Sequence, residues 1–202
     1  TGDVDVMISI RPNFFYTRQV PCELWHFDRA KPAERRNKVL MLDARNVYRK
    51  VTRKIYDFSP EQMQNLAAIV WLYRGQRERF LRLVKDYLRH ICDESAAIPT
   101  TLVPFETTFA NLCGRFDVLA EAVVKQADLD ADKKQALADA VTELREAVLL
   151  YEADAKKLLV GLKDFGQKYA KALPDKNDAQ HAVRKAFDPN SEAIRGLIKQ
   201  VD

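Results

Sequence analysis

Residues 58–62 read Phe-Ser-Pro-Glu-Gln and divide the chain into two parts of different pattern. Ser59 is a favourable N-cap and Pro60 suits the first helical position. Gln62 lies three residues after the serine, where its side chain completes a capping box. These residues predict that a helix begins here. Before them the sequence alternates as β-strands do, and after them apolar residues recur at helical spacing.

Three short stretches before this point predict β-strands: residues 4–10, 21–27 and 39–43. The third, Val-Leu-Met-Leu-Asp, is a nearly continuous apolar run, which is typical of a strand buried on both faces of a larger sheet. Three strands cannot cover both of their own faces. The sheet is therefore expected to need either the downstream helices or further protein.

The first two predicted helices follow the Ser59 start signal. The first is expected to end or bend at Gly75, and the second to span residues 76–92 before a break at 98–104 that contains two prolines. The second helix has a basic outer face, made of Arg77, Arg79, Arg82, Lys85 and Arg89. This face is either a nucleic-acid contact or a solvated surface.

Two longer helical stretches come after the prolines, with apolar residues at alternating steps of four and three. That spacing is the 3.5-residue period of a coiled-coil seam. It predicts an antiparallel hairpin of residues 105–127 against 131–172, closed by a turn at 128–130. Because the second helix is expected to be longer, part of its seam could instead contact a partner through Tyr151, Leu158, Leu162, Phe165 and Tyr169.

The last part of the chain predicts two short helical segments, 179–187 and 191–201, which cap the bundle or add to that contact. The expected fold class is therefore α+β, predominantly α. Its expected parts are the strands of 1–58, connecting helices in 59–98, and a helical hairpin or bundle in 99–202.

The composition is that of a globular protein, with 47% hydrophobic and 31% charged residues. No apolar run approaches the roughly 20 residues that cross a bilayer, and the first residues lack a signal-peptide pattern, so the cytoplasm is the expected location. Cys22, Cys92 and Cys113 are widely spaced and are expected to be reduced thiols. The three histidines are scattered, and no metal site is expected.

Charge is unevenly distributed along the chain. Residues 1–91 carry 18 basic and 10 acidic residues, whereas residues 92–202 carry 15 basic and 19 acidic residues. A basic front and a mildly acidic rear indicate that only the front would meet a polyanion such as DNA. A solvated lysine and arginine surface is the alternative.

Catalytic motifs are missing from the sequence. It has six glycines in all and neither a glycine-rich phosphate loop nor a Ser/His/Asp or Cys/His arrangement with local context. A self-sufficient enzyme is therefore not expected. A free-standing helical adaptor, or a DNA-binding module without catalysis, remains open at this point.

Four ordered elements carry a resemblance to a known family. They are Ile-Arg-Pro-Asn-Phe-Phe-Tyr-Thr at 10–17 leading to Pro21, Glu-Leu-Trp-His-Phe-Asp-Arg at 23–29, Lys-Val-Leu-Met-Leu-Asp-Ala-Arg at 38–45, and Phe-Ser-Pro-Glu at 58–61 with Trp-x-Tyr-Arg-Gly at 71–75. Together they resemble the modification subunits of type I restriction–modification systems. The resemblance covers about residues 3–75.

The resemblance implies a class I, Rossmann-like methyltransferase fold that transfers a methyl group from S-adenosylmethionine to adenine N6 in DNA. The adenosylmethionine-binding glycine motif and the Asn-Pro-Pro-Phe/Tyr tetrapeptide of that family do not occur in this chain. A C-terminal fragment of such a subunit is therefore expected to bind no cofactor and to be inactive alone. Its implied partners are the specificity subunit, a second modification subunit, the restriction subunit and DNA.

The family also implies a role for the aromatic loop at residues 14–16. Adenine N6 is inaccessible inside the duplex, so the base must leave the stack, and an aromatic ring can then stack on it. Phe15 is in the position that matches the family's stacking residue, with Phe14 and Tyr16 as the next candidates. Arg11 and Arg18 are expected to contact DNA beside it. Alternatively, Phe14 and Phe15 are hydrophobic plugs under the sheet edge.

Overall fold

The computed structural model describes residues 2–15, 19–126 and 130–201. It is mostly helical, at 65%, with a small sheet and four helices, which confirms the predicted predominance of α structure. The chain forms two compact units, Thr1–Leu83 and Val84–Asp202. The functional assignment of residues 1–58, 59–98 and 99–202 stays a prediction. None of the described helices is long and apolar enough to cross a membrane.

The first unit contains a three-stranded sheet. Its strands are β1 (Val4–Ile10), β2 (Cys22–Phe27) and β3 (Leu40–Asp43), within one residue of the predicted bounds. β1 lies in the centre, antiparallel to β2 and parallel to β3. The alternation in β1 buries Val6 and Ile10, as a central strand requires.

Within this chain residues 39–43 are not buried on both faces, and their burial in a larger sheet stays a prediction. β3 is an edge strand, and Met41 is 64% exposed. Trp25 on β2 is 50% exposed. Met7 on the central strand pairs with Trp25 on one side and with Met41 on the other, so the three residues form one row across the sheet. Met7 is 8% exposed, so this row of side chains is covered at the central strand and open on the two edge strands.

A second, two-stranded sheet was not expected from the sequence. It consists of β4 (Arg49–Lys50) and β5 (Tyr56–Asp57), which pair antiparallel. Each strand has only two residues, too few to show an alternating pattern. We refer to residues 48–57 as the basic hairpin.

The predicted start of the first helix is confirmed. In α1 (Pro60–Tyr73) the Ser59 hydroxyl accepts a hydrogen bond from the Gln62 backbone N–H at 3.2 Å, and the Gln62 side chain accepts one from the Ser59 N–H at 3.0 Å. Gly75 has φ of 74°, a conformation that favours glycine, and the helix ends just before it.

The predicted break at residues 98–104 is wrong. α2 runs without interruption from Arg77 to Val124, with Pro99 and Pro104 inside it. An interior proline costs about 3 kcal/mol because it removes a backbone hydrogen bond and crowds the preceding turn. Packing on both sides of the prolines offsets this cost, since Leu88 is buried before them and Phe105 contacts Tyr151 after them.

The two predicted terminal segments are likewise one helix. α3 spans Ala131–Tyr169, and α4 spans Asn177–Val201 with Pro189 inside it. At the α3–α4 contact, the Asn190 amide donates to the Gly161 carbonyl at 3.4 Å. A Cβ at position 161 would lie 2.3 Å from the Asn190 side-chain oxygen, so glycine permits this close approach.

The core of the second unit lies where α2, α3 and α4 meet. One buried cluster contains Leu88, Cys92, Phe165 and Val183, and the other contains Ala155, Leu158, Leu162 and Leu197. Burial of Cys92, with Asp93 nearby, raises the pKa of its thiol, so this cysteine is a packing residue and not a reactive thiolate.

The antiparallel hairpin is confirmed, but with a longer first helix than predicted. The contacts run in antiparallel order. Leu88 and Phe165 share one buried cluster, and Ile98 packs against the cluster that contains Leu158. Farther along, Phe109 lies against Tyr151, and Asp117 pairs with Arg145. Because α2 is not broken at the prolines, it extends along the whole of α3. The expected turn falls partly on residues 128–129, which lie outside the described residues.

Candidate functional site

The end of β1 leads into Arg11, which is held between two aromatic rings. Its guanidinium carbon lies 3.8 Å from the centre of the Tyr48 ring and 4.0 Å from that of Tyr56. Both tyrosines belong to the basic hairpin. The Nε atom of Arg11 is buried and has no hydrogen-bond partner among the described residues. The guanidinium therefore fastens the hairpin to the end of β1 by cation–π contacts.

The next turn has an unusual backbone conformation. Asn13 has φ of 72°, in the left-handed region that asparagine tolerates better than most residues. Its carbonyl oxygen accepts a hydrogen bond from the Tyr56 N–H at 3.0 Å, while its side-chain oxygen is buried without a partner in the described structure. This turn is thus joined to β5 by a backbone hydrogen bond, next to the side-chain contacts of Arg11.

The aromatic residues that follow differ in their surroundings. The Phe14 ring packs on that of Phe58, with centroids 4.6 Å apart, so Phe14 acts as a hydrophobic plug. Phe15 is 52% exposed. Tyr16 and Arg18 lie outside the described residues. Of the predicted stacking residues that are described, Phe15 is the one whose ring is open to solvent.

Four charged or polar side chains surround Asp5, in a cluster that no sequence motif indicated. Asp5 is completely buried, and it accepts hydrogen bonds from Arg35 at 2.7 Å and from Arg74 at 2.6 and 3.0 Å. The His26 ring nitrogen lies 3.8 Å from the same carboxylate. Lys31, also buried, donates to the carbonyls of Val4, at 2.7 Å, and Lys38.

Electrostatics at this cluster favour the ionised carboxylate. Burial by itself raises the pKa of Asp5, but the guanidinium groups of Arg74 and Arg35 and the ammonium of Lys31 outweigh it, so the pKa lies below its ordinary value. Asp5 thereby ties the C-cap of α1 and the loop before β3 to the central strand. A carboxylate within the apolar run of β1, with Arg74 before Gly75, is the sequence signal that could have revealed it.

Some cations in and just before the basic hairpin form ion pairs with described residues, whereas others do not. Arg49 pairs with Asp57 at 2.6 Å, and just before the hairpin Arg45 pairs with Asp43 at 2.7 Å, holding the pKa of Asp43 at about 2. The other three cations, Lys50, Arg53 and Lys54, are exposed and form no ion pair with any described residue.

The predicted basic face of α2 is more fully used within the chain. Lys85 pairs with Asp175 at 2.6 Å, Arg89 with Asp86 at 3.2 Å, and Arg79 lies over the Trp71 ring at 5.3 Å. Arg77 and Arg82 are both exposed. Three of the five side chains on this face thus already have partners.

The five side chains predicted to bind a partner pack within the chain. Leu158, Leu162 and Phe165 are 5%, 1% and 5% exposed, respectively. Tyr151 lies against the rings of Phe105 and Phe109, and Tyr169 against Phe165. They are covered because α2 and α4 are longer than expected. Other apolar residues of the α2–α3 hairpin face solvent, among them Val118, which is 68% exposed, and Leu149, which is 67% exposed.

The chemistry available to these groups is recognition. Within the described ranges no group of histidine, cysteine, aspartate or glutamate residues could hold a metal ion. An open aromatic ring, free cations and a rigid turn can bind a planar base and phosphate groups, whereas bond breaking would need further residues.

Comparison with known proteins bears on the first unit. Residues 1–86 match the family model N-6 DNA Methylase. This match supports a relation of the region to N6-adenine DNA methyltransferases, and it ends close to the boundary between the two compact units. No curated protein and no solved structure matches the chain.

Proposed function

We propose that this chain is the C-terminal part of the modification subunit of a type I restriction–modification system. The match of residues 1–86 to the N-6 DNA Methylase family supports this, as do the ordered motifs between residues 3 and 75. The three strands complete the Rossmann-like sheet of a catalytic domain. The rest of that domain would cover the exposed side chains of β2 and β3, such as Trp25 and Met41.

The observation that carries the proposal is the exposed ring of Phe15. A methyltransferase that acts on adenine N6 must take the base out of the duplex, and a solvent-facing ring can then stack on it. Arg11 and Phe14, which precede this ring in the chain, are held by contacts with the two tyrosines and with Phe58. We propose that the extruded base stacks on the Phe15 ring.

Cofactor binding is assigned to the rest of the parent subunit. The glycine motif for S-adenosylmethionine and the Asn-Pro-Pro-Phe/Tyr tetrapeptide do not occur in these 202 residues. Residues 1–202 alone should therefore release no heat when titrated with S-adenosylmethionine in a calorimeter. Tight cofactor binding would contradict the proposal.

The second unit is proposed to dock on the specificity subunit, in an assembly that also includes a second modification subunit and the restriction subunit. Exposed apolar side chains on the outer part of the α2–α3 hairpin favour this role, because the five seam residues are already packed within the chain. A free-standing helical adaptor would explain the second unit equally well. It would not explain the family match of the first.

The docking role is tested by co-purification with the candidate specificity subunit. Val118→Glu combined with Leu149→Glu should abolish the complex, since both residues are well exposed and a charge there is costly only at an interface. Val160→Glu is the matched control, because Val160 is 60% exposed and lies elsewhere on α3. Equal recovery with both variants would contradict docking through this surface.

A further inference from the structure

We propose that the basic hairpin contacts DNA backbone phosphates through Lys50, Arg53 and Lys54. This rests on the proposed function in one respect, namely that DNA is the polyanion expected at this unit. It assigns a contact surface that the motifs and the family resemblance do not indicate.

The charge on the basic hairpin is only partly neutralised within the chain. Arg45 and Arg49 are close in sequence to the three cations, yet each is neutralised by a bidentate contact with an aspartate. Residues 50–54 contain no acidic residue, and the Lys50, Arg53 and Lys54 side chains are exposed. Three free cations on one short hairpin attract a repeating phosphate backbone more strongly than scattered single charges do.

The basic hairpin is anchored to the end of β1 and to the start of α1. A hairpin of this length is marginally stable by itself. Here the Arg11 guanidinium lies between its two tyrosines, the Tyr56 N–H donates to the Asn13 carbonyl, and the Gln62 side chain donates to the Tyr48 carbonyl at 3.0 Å. These contacts fix the hairpin to the same loop that carries Phe15. The hairpin backbone that carries the cations is therefore joined to the residues just before the exposed ring.

Phosphate contacts beside the Phe15 ring would assist base extrusion. Phosphate contacts do not read sequence, but they set the register of the duplex on the protein. A ring that receives an extruded base needs the flanking backbone held still while the base leaves the stack. The unpaired cations of the basic hairpin, which is joined to the residues before Phe15, would bind that backbone and keep it in position.

The test is DNA binding by the full 202-residue chain, measured by fluorescence anisotropy with a labelled duplex between about 50 and 200 mM NaCl. The variant combines Lys50→Gln, Arg53→Gln and Lys54→Gln. Each phosphate that the variant no longer binds should reduce the slope of log Kd against log salt by about 1, and affinity at the lowest salt should fall by about ten-fold.

The matched control removes the same charge from the second unit through Lys156→Gln, Lys157→Gln and Lys163→Gln. These lysines are also exposed and have no ion-pair partner in the described structure, so this variant should keep the wild-type slope. Thermal melts followed by circular dichroism verify that both variants fold, and the single Lys54→Gln exchange, expected to lower the slope by about 1, serves if the triple variant does not.

An unchanged slope in the hairpin variant, an equal reduction in the control, or no DNA binding by the wild-type chain would each overturn the hairpin contact. None of these results decides the proposed function, which is judged separately by the cofactor titration and by co-purification with the specificity subunit.

Discussion

The two units of this protein are stabilised by different kinds of contact. In residues 1–83 a small sheet is held by polar groups, with the buried Asp5 carboxylate and the stacked Arg11 guanidinium joining distant parts of the chain. In residues 84–202 aliphatic and aromatic side chains at helical spacing form the core. A specific polar contact fails completely when one partner is removed, whereas an apolar core is weakened in proportion to the volume removed.

The largest effect is expected at Asp5. Asp5→Ala leaves Arg35, Arg74 and the buried Lys31 without their counter-charge, which should lower the free energy of unfolding by about 4 kcal/mol. Urea denaturation monitored by circular dichroism measures it. Asp43→Ala, which removes an exposed pair, is the control and should leave the midpoint unchanged. Similar urea midpoints for Asp5→Ala and Asp43→Ala would show that the buried polar contacts stabilise the first unit no more than an exposed ion pair does.

The same carboxylate predicts a pH dependence. Because folding lowers the pKa of Asp5, its contribution to stability is complete above the unfolded-state pKa of about 3.9 and is lost as the pH falls from there through the folded-state pKa. Asp5→Asn should therefore flatten the decline of stability in acid. If the free energy of unfolding falls with pH in parallel for wild type and variant below about pH 4, Asp5 is not the titrating group.

The second unit should respond to a reduction of core volume. Leu162 is 1% exposed between α3 and α4, and Leu162→Ala should cost about 3 kcal/mol. Urea unfolding again gives the value, with Leu149→Ala, at a residue that is 67% exposed, as the control. A cost no larger than that of the control would mean that α4 does not cover this position.

Substitution of Arg11 distinguishes anchoring of the basic hairpin from direct contact with DNA. Arg11→Gln removes two cation–π contacts and should lower stability by about 1–2 kcal/mol, whereas Arg53→Gln in the same hairpin should not. Differential scanning calorimetry of both variants measures this. If Arg11→Gln keeps its full melting temperature but weakens DNA binding, Arg11 contacts DNA as the sequence suggested and does not anchor the hairpin.

The smallest effect concerns the start of α1. Ser59→Ala removes the hydroxyl that accepts the Gln62 N–H and should cost about 1 kcal/mol. Thr107→Ala is a suitable control, because that hydroxyl only donates to a carbonyl within α2. Equal urea midpoints for the two variants would show that the capping box contributes nothing measurable.

Local signals in the sequence were sufficient for the strands, the capping box and the antiparallel hairpin. Each depends on neighbouring residues: the alternation in β1, the Ser59–Gln62 spacing, and the steps of four and three in α3. The prolines were misleading because their cost is local but the compensating packing is not. Pro99 and Pro189 remain inside helices that distant side chains hold together.

The site was only partly predictable for the same reason. Phe15 could be proposed from the sequence because its motif is contiguous, and its stacking role stays a prediction. The Asp5 cluster joins residues 69 positions apart, and the Arg11 sandwich joins the end of β1 to two tyrosines in a hairpin too short to have a pattern. Such contacts depend on the fold and leave only a weak trace in the sequence, such as one aspartate in an apolar strand.

The most direct test of the proposed function is methyl transfer by the proposed assembly of this chain with the rest of a modification complex, measured with labelled S-adenosylmethionine. Stacking on an extruded base is worth about 1–3 kcal/mol, so Phe15→Ala should lower kcat/KM by about ten-fold to a hundred-fold, while Phe15→Trp, which keeps a stacking ring, retains most activity. Equal rates for wild type, Phe15→Ala and Phe15→Trp would contradict the assignment of this loop to the target base.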